Sequence, residues 1–243
     1  MRRFFVEGKY QVGDIVALKE SDSKHFAKVL RGKVGEEIQI VAEEAVFLAE
    51  VTSVENTVTA EIKELTAEYS EAPIDIYLLQ GMAKGERMDL VIQKAVELGV
   101  KAIIPVACER CVVQLKGSKA VDKQKRWQKI AESAAKQCGR QRVTEIMPVS
   151  NLADAIKMLP ENTKVIMPWE EAEDNTLKKV LTTNEPQNVA VIIGPEGGLT
   201  ESEVALAKLA GAEVVTLGKR ILRTETAAIV AVTIVMYQWG DLG

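Results

Sequence analysis

Histidine and cysteine are scarce in this chain, with one His and three Cys in 243 residues. A zinc site built on the Cys108-x-x-Cys111 pair needs two more ligands, and only Cys138 and His25 remain to supply them. No metal site is expected. An odd number of cysteines without framework spacing does not suggest disulfides and fits a reducing compartment. A redox pair would normally precede a helix, whereas "CERCVVQL" (108–115) reads as extended. Long apolar runs are missing too. None reaches the ~18 residues of a bilayer span, and Arg2-Arg3 is not followed by the apolar stretch of an export signal. The expectation is a cytoplasmic protein with no membrane partner. A dominant charge is also absent: the net charge is −4, which rules out polyanion binding by bulk electrostatics alone. No repeat or low-complexity tract interrupts the chain.

What the chain does have is ample core material, with 47% apolar and 27% charged residues, an ordinary balance for a globular protein. Residues 1–70 carry short β-rich runs ("RFFV", "DIVAL", "EEIQIV", "AVFLAEVTSV", "TVTAEIKEL") separated by turn signals. One short helix, "SDSKHFAKVLR", interrupts them, with Ser21 or Ser23 available to cap it. This reads as a small barrel-like β module. The polar stretch "AEYSEAP" (67–73) then marks a boundary.

From residue 74 to 243 strands alternate with helices. "IDIYLLQG", "KAIIPV", "KVIMPW", "VAVIIG" and "EVVTLG" read as strands, and a polar loop follows "KVIMPW". Met88, Val91, Ile92, Ala95, Val96 and Leu98 mark one helix, ended by Gly99. Trp127, Ile130, Ala131, Ala134, Ala135 and Cys138 mark the apolar face of another. "TESE" at 200–203 is a capping box opening a third, and Thr224 is expected to cap a fourth that runs to Trp239. Such alternation predicts an α/β fold, a mostly parallel sheet with helices on both faces.

Charge is unevenly spread. Between Gln114 and Ile146 nine Lys or Arg face three acids, a local +6, and Arg2, Arg3, Lys24, Lys28, Arg31 and Lys33 form a second basic group. Two such clusters on an acidic protein suggest a nucleic-acid footprint, with solvated faces as the alternative. His25, near the second group, suits RNA stacking or a structural role.

The stretch "VIIGPEGGLT" (191–200) carries the chemistry. A strand running into a glycine turn before a helix usually suggests a phosphate site, but no Walker lysine follows the last glycine. Glu196 would repel a pyrophosphate at short range. The turn better suits a ligand with hydrogen-bonding edges or positive charge, with Gly197 and its neighbours letting the backbone approach closely. "LGKRILRTETAA" (217–228) repeats the strand, glycine, loop, helix arrangement, and a third strand ends in "IMPW". In a parallel α/β sheet these carboxyl ends meet at one edge, where ligands bind.

"IIGPEGGLTESE" followed by "VTLGKRILRTETA" resembles the 16S ribosomal RNA (uracil-N3) methyltransferase family of the SPOUT, or α/β-knot, class. The likeness extends through "QGMAKGERMDLVIQKAVELGV", "ERCVV" and "RWQKIAESAAKQCGRQRV". Lys136 departs from it, standing where that family has an acidic residue. The resemblance implies a SPOUT α/β-knot domain tied as a deep trefoil knot over 74–243, preceded by a PUA-like RNA-binding β-barrel over 1–70. It further implies a homodimer using S-adenosyl-L-methionine and acting on 16S rRNA of the small ribosomal subunit. Carried onto this chain, the cofactor residues are Met167, Pro168, Gly194, Pro195, Glu196, Gly197, Gly198, Leu217, Gly218, Ile221, Leu222, Thr226 and Ala227. For RNA the candidates are Arg2, Arg3, Lys28 and Arg31 in front, and Lys84, Arg87, Arg140 and Arg142 behind.

A sulfonium-borne methyl is already activated, so the chemical demand falls on uridine N3, an imide that must lose its proton as it attacks. A nearby cation stabilises the resulting anion. Arg223, beside the cofactor loop, is the expected catalytic residue, with a structural pairing to Glu196 or Glu225 as its alternative. Methylation of a ribose oxygen or of transfer RNA, or RNA binding without catalysis, are the competing functional readings.

Overall fold

The computed structural model describes residues 1–43, 45–66, 71–112, 115, 117–173, 175–182 and 185–243. Residues 67–70 of the expected linker, and Val113, Gln114 and Lys116 of the motif and basic run, lie outside them. The chain divides into two compact units, Met1–Glu71 with Lys136–Arg142, and Ala72–Ala135 with Val143–Gly243.

In the front unit β1 (Arg2–Phe5), β2 (Ile15–Ala17), β3 (Glu37–Ala42), β4 (Ala45–Ser53) and β5 (Thr59–Thr66) form one sheet. Its order is β1-β3-β4-β5-β2, parallel only between β1 and β3. Alternation sets the register. Along β5, Ala60 and Ile62 turn inward while Lys63 faces water, so a one-residue slip would expose every core side chain. Ile38, Ile40, Ala49, Val51 and Phe26 belong to the same core, with Phe4, Val16 and Phe47.

Phe26 comes from the helical insert, α1 (Glu20–Lys24) running into a π-helical turn at His25–Val29. Neither Ser21 nor Ser23 caps that insert; Lys19 occupies the N-cap without a side-chain bond. The buried Ser23 hydroxyl instead donates to Leu18 O (3.2 Å) and accepts from the Val58 N–H (3.0 Å), tying the insert to the residue just before β5.

The distant segment Lys136–Arg142 is bound in by charge. Arg140 and Glu71 are both buried and paired at 2.6 Å. The same carboxylate accepts the backbone N–H groups of Gln141 and Arg142, each at 2.9 Å. Lys136 pairs with Asp22 at 2.6 Å.

The larger unit contains β6 (Asp75–Gly81), α2 (Glu86–Glu97), β7 (Ala102–Val106), α3 (Ser118–Cys138, its last turn counted with the front unit), β8 (Glu145–Ile146) and α4 (Leu152–Lys157). Then come β9 (Lys164–Pro168), α5 (Leu177–Val180), β10 (Asn188–Ile193), α6 (Glu201–Leu209), β11 (Glu213–Val215) and α7 (Thr224–Trp239). All six strands are parallel, in the order β11-β9-β10-β6-β7-β8. β7 and the interior of β10 are buried along their whole length, which requires cover on both faces. Two helix groups provide it: α2 packs with α7, which also lies on β6 and β10, while α4 packs with α6 and β7. Within the expected polar loop after β9, α5 forms with Thr176 as its cap. On α3 the expected apolar face is buried at Trp127, Ala131, Ala134 and Ala135, but Cys138 is exposed.

"CERCVVQL" is not a strand in its described part: Cys108 to Cys111 is a turn closed by the Cys111 N–H on Cys108 O (3.1 Å). The Cys111 thiol donates to Val106 O (3.6 Å). Its interaction with Cys108 lowers the Cys111 thiol to about 7, and the same interaction together with burial raises Cys108. Among the described residues no group of three His, Cys, Asp or Glu is placed to hold a metal ion.

Candidate active site

Strand register brings the site together. Ile193 at the end of β10 lies opposite Gln80 of β6, and Val215 at the end of β11 lies opposite Pro168 of β9. The chain therefore leaves four neighbouring strands at one edge. β10, laid between β9 and β6, is where the strand order reverses, and such switch points open crevices. A cavity of about 450 Å³ lies there, within the range of small-molecule sites.

Its wall includes ten of the thirteen residues expected from the sequence: Pro168, Gly194, Pro195, Glu196, Gly198, Leu217, Gly218, Ile221, Leu222 and Ala227. Arg223 lines it as well. The other three do not. Met167 is fully buried in the core of β9, and Thr226 points outward on the first turn of α7. Gly197 packs elsewhere: a Cβ there would sit 2.9 Å from Arg110 Cβ. The closeness expected of Gly197 toward a ligand is closeness to the Cys108–Cys111 turn. From that turn Arg110 donates to Gly197 O (3.3 Å), and the Glu109 N–H donates to Glu203 (3.0 Å).

Glu196 answers why the glycine turn carries a carboxylate. Its Oε1 accepts the Lys84 N–H and the Arg87 guanidinium, both at 2.8 Å. Burial pushes this carboxyl up, but the N–H bonds from Lys84 and from its own backbone, with Arg87, outweigh burial and hold it below the usual glutamate range. Glu196 clamps the β10–α6 turn to the β6–α2 loop. Arg87 thus faces the cavity and is occupied between Glu196 and, at 3.9 Å, Glu225.

Beneath the turn is a buried polar chain that the sequence patterns did not reveal. Thr224 does not cap α7; Arg223 holds the N-cap position without a side-chain bond. The Thr224 hydroxyl donates across to Gly194 O (2.6 Å) and accepts from Gln80 Nε2 (2.9 Å), which also donates to Gly81 O (2.8 Å). Gly81 is needed here, since a Cβ would lie 2.5 Å from Pro195 N and 2.8 Å from Gly194 C. By contrast, the Thr200–Glu203 capping box forms as expected.

Arg223 is exposed and, among the described residues, has no ion-pair partner; Glu196 and Glu225 are both turned to Arg87. The structural pairing considered for it is not made. Trp169, Glu170, Lys219 and Arg220 also line the cavity. Two wall atoms, Trp169 Nε1 and Glu225 Oε2, are buried without a hydrogen-bond partner among the described residues.

The RNA candidates fare unevenly. Lys28, Arg31 and Lys84 are exposed. Arg2 is partly engaged, with Glu36 at 2.7 Å and Leu30 O at 3.0 Å, and Arg3 is bound to Gly139 O and Arg140 O. Arg142 is half-buried. Arg140 is corrected outright: buried and neutralised by Glu71, it has no face for RNA.

A model of the RNA methyltransferase domain matches residues 70–236 of this chain. Over 251 positions the chain is 34% identical to ribosomal RNA small subunit methyltransferase E of Bacillus subtilis, covering 98% of this chain and 97% of the relative. The crystal structure of the Neisseria gonorrhoeae ribosomal RNA small subunit methyltransferase E bound to S-adenosyl methionine superposes with a TM-score of 0.90, at 37% identity over 100% of both chains. A Legionella pneumophila methyltransferase in complex with the same cofactor gives 0.89 at 35%, over 99% of this chain and 98% of the other. Sequence likeness thus runs through both compact units as well as the strand-end cavity, and the chain belongs to the ribosomal RNA small subunit methyltransferase E family.

Proposed function

We propose that this protein is an S-adenosyl-L-methionine-dependent methyltransferase that methylates N3 of a uridine in 16S rRNA of the small ribosomal subunit. The observation that carries this is the convergence of the loops after β9, β10 and β11 on one cavity, in a chain of this family. The cavity's chemistry fits the cofactor. Its wall sets apolar side chains such as Leu217, Ile221 and Leu222 beside charged ones, its glycines leave backbone within reach, and Trp169 Nε1 is a buried donor with no acceptor among the described residues. A buried donor left unmatched costs about 1–3 kcal/mol, a cost relieved when a ligand acceptor arrives.

Pro168, the turn from Gly194 to Gly198, Leu217, Gly218, Ile221, Leu222 and Ala227 would hold the cofactor, which when bound supplies an activated methyl group. Arg223 then presents its unpaired guanidinium to the acceptor base and stabilises the anion that N3 becomes as its proton leaves. Removing one group that stabilises charge developing in a transition state typically costs about 10²–10³ in rate.

Three further assignments belong to the same reading. The segment 74–243 is a SPOUT domain with a trefoil knot. In support, β11 lies at the far edge of the sheet whereas α7, next in the chain, packs on α2, β6 and β10, so residues 216–223 pass back across the strand ends. The front module is a PUA-like RNA-binding barrel, its five-stranded sheet supporting that architecture and exposed Lys28 and Arg31 supporting the contact. The protein works as a homodimer in the cytoplasm. α7 is predominantly apolar beyond its first turn, and such helices are normally covered, yet Ile234 and Tyr237 are exposed. Among the described residues no helix is long and apolar enough to cross a membrane.

Transfer of labelled methyl to naked rRNA, small subunits and tRNA, with mapping of the modified nucleoside, tests the reading. The expected product is 3-methyluridine in 16S rRNA, and Arg223→Ala should slow single-turnover transfer on the order of 10²-fold without loosening the cofactor. A ribose-methylated or tRNA product would overturn it.

A further inference from the structure

The proposed reaction leaves one proton unassigned. N3 of a uridine gives up a hydrogen as it gains a carbon, and a lone pair on the protein or on water must receive it. The cavity's cations, Arg87, Lys219, Arg220 and Arg223, cannot accept. The Thr216 and Thr224 hydroxyls are committed, to Gly218 and to Gly194 with Gln80. Among the carboxylates, Glu196 is held by the Lys84 N–H and Arg87, and Glu170 is exposed, so water takes its lone pairs.

Glu225 differs from all of these. Its side chain is 13% exposed and lines the cavity; Oε1 stands 3.9 Å from Arg87 Nε, and Oε2 has no donor among the described residues. A desolvated carboxylate oxygen without a donor is costly, and such an orphan in a native fold calls for an explanation. The terminal torsion of a glutamate is broad and two-fold, so a small turn presents the unsatisfied lone pairs to a donor entering the cavity. Glu225 also sits on the first turn of α7, two residues after Arg223.

We propose that Glu225 is the general base of the reaction, an inference that rests on the function proposed above. In the balanced step the N3–H bond breaks and its proton passes to Glu225. N3 keeps the electron pair and forms a bond to the methyl carbon, and the sulfur–methyl bond breaks with its pair returning to sulfur as a neutral thioether. Glu225 then releases the proton to solvent. Arg223 stabilises the N3 anion while Arg87, between Glu196 and Glu225, orients the base.

The test uses the full chain with Glu225→Gln and Glu225→Asp, measuring cofactor affinity by calorimetry, melting temperature, and single-turnover transfer to 16S rRNA between pH 5.5 and 9. The Gln variant should bind the cofactor within about threefold of the parent, a small change on the affinity scale, and should melt close to it. Its methyl transfer should fall on the order of 10²–10⁴-fold, the usual worth of a positioned base. That deficit should shrink as pH rises, because the imide then loses its proton to solvent base. The Asp variant should retain part of the rate and the parent's pH profile. Transfer by the Gln variant within fivefold of the parent, a deficit independent of pH, or a deficit matched by lost cofactor affinity or stability would each overturn the proposal. Failure of the parent itself to methylate uridine N3 in 16S rRNA would instead refute the function on which it rests.

Discussion

Thr224→Val is the sharpest probe of how the site is held. Valine matches threonine in shape, so it changes hydrogen bonding while keeping volume. It removes the donor to Gly194 O at 2.6 Å and the acceptor for Gln80 Nε2 at 2.9 Å. Gln80 is fully buried, its Nε2 keeps Gly81 O, and its Oε1 already lacks a partner, so no local rearrangement compensates. Each buried group left unmatched costs about 1–3 kcal/mol. Gly194 is only half-buried and recovers some of its share from water, giving roughly 2–4 kcal/mol in all. At about 2–4 °C per kcal/mol for a chain of this size, the melting temperature should drop by roughly 4–16 °C. Because the lost bonds pin the first residue of the glycine turn to α7, cofactor affinity should weaken about tenfold, equivalent to 1.4 kcal/mol. Thr224→Ser, which keeps the hydroxyl, should restore most of both. Scanning calorimetry and titration calorimetry on the three proteins decide the matter. A valine variant that melts and binds like the parent would show that the Gln80–Thr224–Gly194 chain does not position the turn.

Other perturbations follow from the same geometry. Gly81→Ala forces a methyl against Pro195 N and Gly194 C; overpacking of this kind costs about 1–3 kcal/mol, seen as a lower melting temperature together with weaker cofactor binding. Arg140→Met leaves Glu71 buried without its cation, and should destabilise by about 3–5 kcal/mol in denaturant titration. It should leave the salt slope of RNA binding unchanged, whereas Arg31→Ala should reduce that slope by about one. The carboxyl of Glu196 is lower in the folded protein than its ordinary 4.5. Its clamp is therefore complete above pH 4.5 and is lost as pH falls through the folded-state value. Cofactor affinity, followed by titration from pH 8 downward, should lose this contribution only in the acid range, and Glu196→Gln should start weaker and lack that acid drop.

Much of the frame was legible because its signals are local. Alternation in "TAEIKEL", the period of the Met88–Leu98 face and the Thr200–Glu203 box each lie within a few residues of chain, and each formed. The cavity was legible for a different reason: parallel strands oblige successive carboxyl ends to share an edge, so glycine turns after them meet. Partners separated by long stretches of chain were not legible. Nothing local says that Arg140 will find Glu71, 69 residues away, and a run of basic residues looks the same whether solvated or buried. Thr224 misled by standing where a cap is expected; its hydroxyl donates instead to an oxygen 30 residues away. Met167, Gly197 and Thr226 were expected in the wall and do not line it, because adjacency in a motif does not tell which side of a strand, turn or helix a residue faces.

The pairing of Glu71 with Arg140 also sets an order of assembly during synthesis. When residue 70 has left the ribosome, the five strands are all present, but Asp22 still lacks Lys136, and the carboxylate that will gather the backbone of Gln141 and Arg142 has not been followed by its arginine. The front module reaches its full set of buried contacts only after some seventy further residues have been made. A gene fragment cut at the linear boundary therefore encodes a module short of one wall, and an expression trial that joins 1–71 to 136–142 through a short tether should yield a more soluble product than 1–70 alone.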